Sequence, residues 1–199
     1  MECTTEMIKS LREKTGCGMM DCKAALSEAK GDIEKAIDLL REKGLAAIAR
    51  RAGRVATQGL VDSYIHIGGK IGVLLEINCE TDFVARSTDF QAFVKDVCLQ
   101  IAASNPQYIT RDEVPDGIVE HEKEIISAQA IAEGKPEKAI ETIVNGRLDK
   151  FYSEVCLMDQ PFIRNQDITI NDLFGELSAK IGENIVIRRF TRYQLGEKS

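Results

Sequence analysis

From Ile71 to Cys79 the chain alternates. Ile71, Val73, Leu75 and Ile77 fall on one face; Gly72, Glu76 and Asn78 fall on the other, with Leu74 the one apolar intruder. That period of two predicts a half-buried β-strand. Shortly afterwards the period changes: Phe90, Phe93, Val94, Val97, Cys98 and Ile101 recur at helical spacing and predict a helix over 88–104 with one buried stripe. Thr88-Asp89-Phe90-Gln91 offers a capping box at its start. A second strand is predicted over 60–67. Gly68-Gly69 then predicts a two-residue hairpin loop leading into 70–79, because both glycines tolerate φ > 0.

Phe83 belongs to neither pattern. It lies in Asn78-Cys79-Glu80-Thr81-Asp82-Phe83-Val84-Ala85-Arg86, between a carboxylate and a guanidinium, where the strand stops and the helix has not begun. An aromatic outside both periods is either a local plug or a contact for something else, and the spacing leaves both readings open.

Residues 1–44 read as a small three-helix module. Thr5 caps a first helix carrying Met7, Ile8 and Leu11 and ending near Thr15-Gly16; a second starts around Met20-Asp21 with Cys22, Ala25 and Leu26. Asp32 caps a third, with Ile33, Ala36, Ile37 and Leu40 inward and Gly44 as its stop. The loop Gly16-Cys17-Gly18-Met19-Met20 places two methionines in a turn, and methionine suits adaptable contact surfaces as well as cores. Residues 45–58, rich in Ala and Arg, read as a helical linker. Residues 59–199 form the remaining core, with Asn105-Pro106 as a break and a helical hairpin over about 116–158: Ile118, Val119, Ile125 and Ile126 make one stripe, Ile140, Ile143 and Val144 another. A last helix over 172–181 precedes a weakly alternating strand over 183–195. Strands joined by helices, with no repeated βαβ unit, predict an α+β fold with a small antiparallel sheet.

Composition narrows the function. At 199 residues, 44% hydrophobic and 29% charged, the chain has the make-up of a globular protein. No apolar run approaches the ~20 residues of a membrane span, and Met-Glu-Cys-Thr-Thr-Glu lacks the regions of a secretory signal, so a cytoplasmic protein is expected. The net charge of −6 disfavours a nucleic-acid partner. Arg50-Arg51-Ala52-Gly53-Arg54 is a local exception; it reads either as a contact for RNA or an acidic partner or, more plainly, as a solvated helical linker. The six cysteines form no Cys-x-x-Cys pair, and free thiols are expected. His66 and His121 have no ligand-spaced partners, so no metal or cofactor is expected.

Hydrolase, Walker, metalloprotease and dinucleotide-binding motifs are all missing. A cysteine nucleophile at Cys22 or Cys79 would need a histidine base; a pairing of His66 with Cys79 reads more simply as packing. A non-enzymatic role is expected.

The motifs Thr15-Gly16-Cys17-Gly18-Met19-Met20-Asp21-Cys22-Lys23, Asn78 to Arg86, Gly134-Lys135-Pro136, Gly146-Arg147-Leu148, Gln160-Pro161-Phe162 and Lys180-Ile181-Gly182-Glu183-Asn184-Ile185 together resemble, collinearly over essentially the whole chain, the bacterial translation elongation factor Ts family in its short form. The resemblance implies guanine-nucleotide exchange on elongation factor Tu, a ubiquitin-associated-like N-terminal module that docks on the partner through Leu11, Met19 and Met20, and a homodimer. It further implies that Thr81, Asp82, Phe83 and Val84 intrude near the partner's magnesium site with Phe83 as the wedge. His66 resembles a family histidine that contacts a more distant domain of the partner.

Overall fold

The computed structural model describes residues 4–15 and 17–197; Gly16, expected at the end of the first helix, lies outside them. The fold is mixed α and β with a small antiparallel sheet of three strands. By packing, the chain divides into two compact units. The first holds residues up to Asp62 together with Leu74–Asp96 and Asp172–Phe190; the second holds Ser63–Val73, Val97–Asn171 and the residues from Thr191 onward.

In the first unit, α1 (Thr5–Thr15), α2 (Met19–Glu28) and most of α3 (Ile33–Arg51) enclose a core of Ile8, Leu11, Cys22, Ala25, Leu26, Ala36 and Leu40. Asp32 caps α3 as expected, accepting from the Lys35 amide. Three sequence expectations need correction here. The α1 cap is Thr4, whose hydroxyl accepts from the Met7 amide at 3.3 Å, so the cap falls one residue before Thr5. Met19 and Met20 do not lie in a turn but open α2. Gly44 does not stop α3, which runs on to Arg51. A helical glycine costs roughly 1 kcal/mol relative to alanine, a penalty that the Ala- and Arg-rich sequence beyond it readily offsets.

β1 (Gln58–Ile65), β2 (Ile71–Cys79) and β5 (Val186–Gln194) form the sheet in the order β1-β2-β5, with β2 in the middle. The alternation read from sequence holds: Val73, Leu75, Ile77 and Cys79 are buried, and Leu74 is exposed. Gly59 is required by geometry. Its φ is +144°, and a Cβ there would lie 2.1 Å from the Ile77 carbonyl oxygen. The hairpin loop is longer than the expected two residues. The Gly69 amide bonds the His66 carbonyl and the His66 amide bonds the Ile71 carbonyl, so the turn spans His66 to Lys70 with both glycines at positive φ.

α5 (Thr88–Ser104) has the expected bounds and stripe, with Phe90, Phe93, Val94, Val97, Cys98 and Ile101 buried. Its cap is Ser87, however: the Ser87 hydroxyl accepts from the Phe90 amide, in place of the capping box expected at Thr88. α8 (Ile170–Ile181) packs Phe174 on Phe93 in the first unit, with ring centres 6.2 Å apart.

In the second unit, α6 (Asp116–Ala132) and α7 (Glu137–Val155) form the expected helical hairpin. Its stripe is thinner than predicted. Ile126, Ala130 and Leu148 are buried, whereas Ile118, Ile125 and Ile131 are exposed. A small pairing of β3 (Pro161–Phe162) with β4 (Asn165–Thr169) was not foreseen. It is too short to carry a readable period. It is steadied by the buried Gln100 amide, which donates to Gln160 Oε1 at 3.0 Å and to the Pro161 carbonyl at 3.2 Å.

Candidate partner-binding site

Beyond β2, the chain turns through Glu80 and Thr81 into one helical turn, α4 (Asp82–Ala85). Thr81 caps it, its hydroxyl oxygen accepting from the Val84 amide at 3.4 Å. Asp82 and Arg86, one turn apart, form an ion pair of 3.0 Å across the outside of that turn. Ala85 is buried and Val84 half-buried, so the turn has an inner edge. Phe83 points the other way and is 83% exposed. The plug reading of Phe83 is therefore wrong, because a plug must lose its contact with water.

The turn is held from α8's far end. The Glu183 carboxylate accepts three hydrogen bonds: Oε2 from the amides of Glu80 (3.0 Å) and Thr81 (3.1 Å), and Oε1 from the Thr81 hydroxyl (2.6 Å). Glu80 returns the arrangement, its Oε1 accepting from the Asn184 amide at 2.6 Å and lying 3.5 Å from Arg54 Nη1. Asn184 Nδ2 donates to the Arg54 carbonyl at 2.8 Å. Sequence reasoning singled out the Gly182-Glu183-Asn184 run but gave it no role. Period and spacing carry no signal for a carboxylate that binds backbone 102 positions away.

The basic run makes contacts within the chain. Arg51 donates to the Ser178 carbonyl at 3.1 Å, Arg50 to the carbonyl of Ala46, and Arg54 joins the Glu80 cluster. The helix expected over 45–58 ends at Arg51, as the last part of α3, and β1 begins at Gln58.

The expected docking residues divide. Met19 and Met20 stand side by side on the first turn of α2, 47% and 73% exposed. Leu11 is fully buried in the three-helix core, so it does not present its side chain to a partner. His66 belongs to the second unit and sits in the exposed hairpin loop, its Nδ1 3.0 Å from the Tyr64 hydroxyl.

The thiols of Cys79, Cys17 and Cys156 are shifted away from the reactive thiolate form. Burial, with the Glu183 charge second, raises the Cys79 thiol above its ordinary value, and the thiol donates to the Thr81 carbonyl at 3.1 Å. Burial also raises Cys17 and pushes Cys156 up to about 11. A nucleophilic cysteine needs its pKa lowered, and these are displaced the other way.

The chain is thus an α+β protein that displays methionines on a small helical module and an aromatic on a fixed turn. The comparisons with known proteins supply the family. The profile described as Elongation factor TS matches residues 20–197. An "Elongation factor Ts" from Carboxydothermus hydrogenoformans is 61% identical over 194 residues, covering 98% of this chain and 89% of that protein. One from Acetivibrio thermocellus is 62% identical over 194 residues, covering 98% and 90%. One from Caldanaerobacter subterraneus is 61% identical over 194 residues, covering 98% and 97%. This chain belongs to the elongation factor Ts family. Membership implies a nucleotide exchange factor for elongation factor Tu in translation elongation.

Proposed function

We propose that this chain binds elongation factor Tu carrying GDP and promotes GDP release by disturbing the partner's magnesium and phosphate site. It docks through Met19 and Met20, while the Thr81–Val84 turn carries Phe83 into that site as a wedge. His66 adds a contact to a more distant part of the partner. Two copies of the chain act together as a homodimer, in the cytoplasm where elongation takes place. The observation that carries this reading is Phe83: a large aromatic, 83% exposed, on a turn fixed by three hydrogen bonds to one carboxylate. An aromatic held rigid on such a turn is the type of side chain that forms a hot spot when a partner covers it.

Exchange of this kind is a coupling between two binding events. The factor must prefer the nucleotide-free partner, and GDP must then weaken the factor's binding by the same ratio. A shift of about 10⁴-fold needs about 5.5 kcal/mol of differential binding. One aromatic hot spot supplies roughly 2–4 kcal/mol. Phe83 therefore shares the work with the docking module and the core, which anchor the wedge. Displacing magnesium leaves phosphate charge uncompensated, and nucleotide affinity falls.

The test is reciprocal. Release of a fluorescent GDP from elongation factor Tu is timed with and without this protein, and its affinity for nucleotide-free and GDP-bound partner is measured separately. Release should accelerate strongly, and the affinity ratio should match the weakening of GDP. Unchanged release with equal affinities would refute the reading.

A further inference from the structure

We propose that Glu183 is a positioning residue for exchange: its carboxylate fixes the orientation of the Thr81–Val84 turn from which Phe83 acts. This rests on the reading of Phe83 given above. A single helical turn such as Asp82–Ala85 cannot hold itself, since an isolated turn fixes several dihedrals for very few hydrogen bonds. Its direction must be imposed from outside. Glu183 imposes it by binding the two backbone amides immediately before the turn and the hydroxyl of its capping residue.

The arrangement is directional as well as strong. Thr81 commits its hydroxyl proton to Glu183 Oε1 at 2.6 Å, which leaves an oxygen lone pair for the Val84 amide at 3.4 Å. The cap of the Phe83 turn is thus set by where Glu183 stands. Bonds to a carboxylate are about twice as strong as neutral ones. Both of its oxygens are used, so an amide at position 183 could satisfy only one side and would turn an N–H₂ toward donors. An aspartate would be one methylene too short. Glu183 is fixed in turn by its neighbour: the Asn184 amide donates to Glu80 Oε1, and the Asn184 side chain donates to the Arg54 carbonyl. Two adjacent acidic–amide exchanges, Glu183 on residues 80 and 81 and Glu80 on residue 184, latch the turn from both directions.

The experiment uses the full chain, as wild type, Glu183→Gln, Phe83→Ala and the double variant, with Thr81→Val as a second way of weakening the latch. Two quantities are read. The first is the maximal rate of GDP release from elongation factor Tu, with the concentration of factor giving half that rate. The second is amide exchange at Thr81 and Val84 in the free protein by NMR. Glu183→Gln should lower the maximal rate about ten- to a hundredfold, the scale of a misplaced acting group, while the half-maximal concentration moves little because Met19 and Met20 are untouched. Thr81→Val should act in the same direction. Both variants should speed exchange at the Val84 amide, and Glu183→Gln should also speed it at Thr81. In the Phe83→Ala background, Glu183→Gln should cost nothing further, because it acts only through that ring.

Full activity of Glu183→Gln beside an impaired Phe83→Ala would overturn this assignment alone. So would equal losses in the two backgrounds, or unchanged exchange at Thr81 and Val84. Full activity of Phe83→Ala would overturn the wedge itself and this assignment with it.

Discussion

The hydroxyl of Thr81 serves two partners at once, donating to Glu183 and accepting from Val84, and so ties a strand end to the turn that displays Phe83. At this scale the sequence was informative up to a definite limit. Periodicity isolated Phe83 because the residue fits neither strand nor helix. It left plug and contact open because the deciding atoms, the Glu183 oxygens, come from a distant segment. Leu11 failed for a related reason: helical spacing marks a face as apolar, but only packing tells whether that face is covered. Gly59 carried no signal in the sequence beyond its place at the start of the core, whereas its backbone sits so close to Ile77 that no side chain fits. Gly59→Ala should therefore destabilise the protein by roughly 2–4 kcal/mol, combining strain at positive φ with a backbone clash. Urea unfolding of the two proteins reads this directly. The buried Cys156 thiol, pushed up to about 11, should resist iodoacetamide at pH 8 in the native protein and react once the chain is unfolded, as mass spectrometry of the modified peptide would report.

Among the elements, those with long apolar stripes were legible. α5 came out with its expected ends, and β2 with its inward residues in phase. Boundaries set by single polar contacts were not. The caps of α1 and α5 shifted by one residue because Thr4 and Ser87 stand beside other hydroxyls that spacing cannot rank. The β3–β4 pair is held by buried glutamine contacts and left no pattern to read. The three-helix module depends on Leu11 as packing. Leu11→Ala should cost about 2–5 kcal/mol of module stability, with any loss of activity following the melting of α1–α3 in thermal scans. A loss of activity without a loss of stability would return Leu11 to the contact surface.

Asp32 offers a pH test of the same module. Accepting the Lys35 amide, with further help from the Lys35 side chain, holds its carboxyl below the ordinary carboxylate value. A depressed pKa contributes stability that is present above the unfolded value, near 3.9, and lost as pH falls through the folded one. Asp32→Asn keeps a cap but should remove this acid-side dependence. The difference between the two thermal midpoints should therefore change across that window and be flat above pH 6.

For the whole molecule, the α+β class and the helical hairpin followed from element order, while family membership rested on several short motifs kept in order along the chain. The charge of −6 turned attention away from nucleic acid, and the basic run that resisted this reading now has carbonyls and a carboxylate as partners. Met19, Met20 and Phe83 are exposed apolar residues, and the proposed function gives them a partner to meet. Chain mass measured by light scattering in solution should be twice that of one copy if two copies act together, and a single-copy mass at working concentrations would remove the dimer from the account.

Phe83→Ala tests the central claim most directly. Because the ring is 83% exposed, the substitution should leave the unfolding free energy unchanged within about 0.5 kcal/mol. Stopped-flow release of fluorescent GDP from elongation factor Tu should nevertheless slow by roughly 30- to 900-fold at equal factor concentration, the equivalent of 2–4 kcal/mol. Release as fast as with the wild type, from a variant equally folded, would contradict the account.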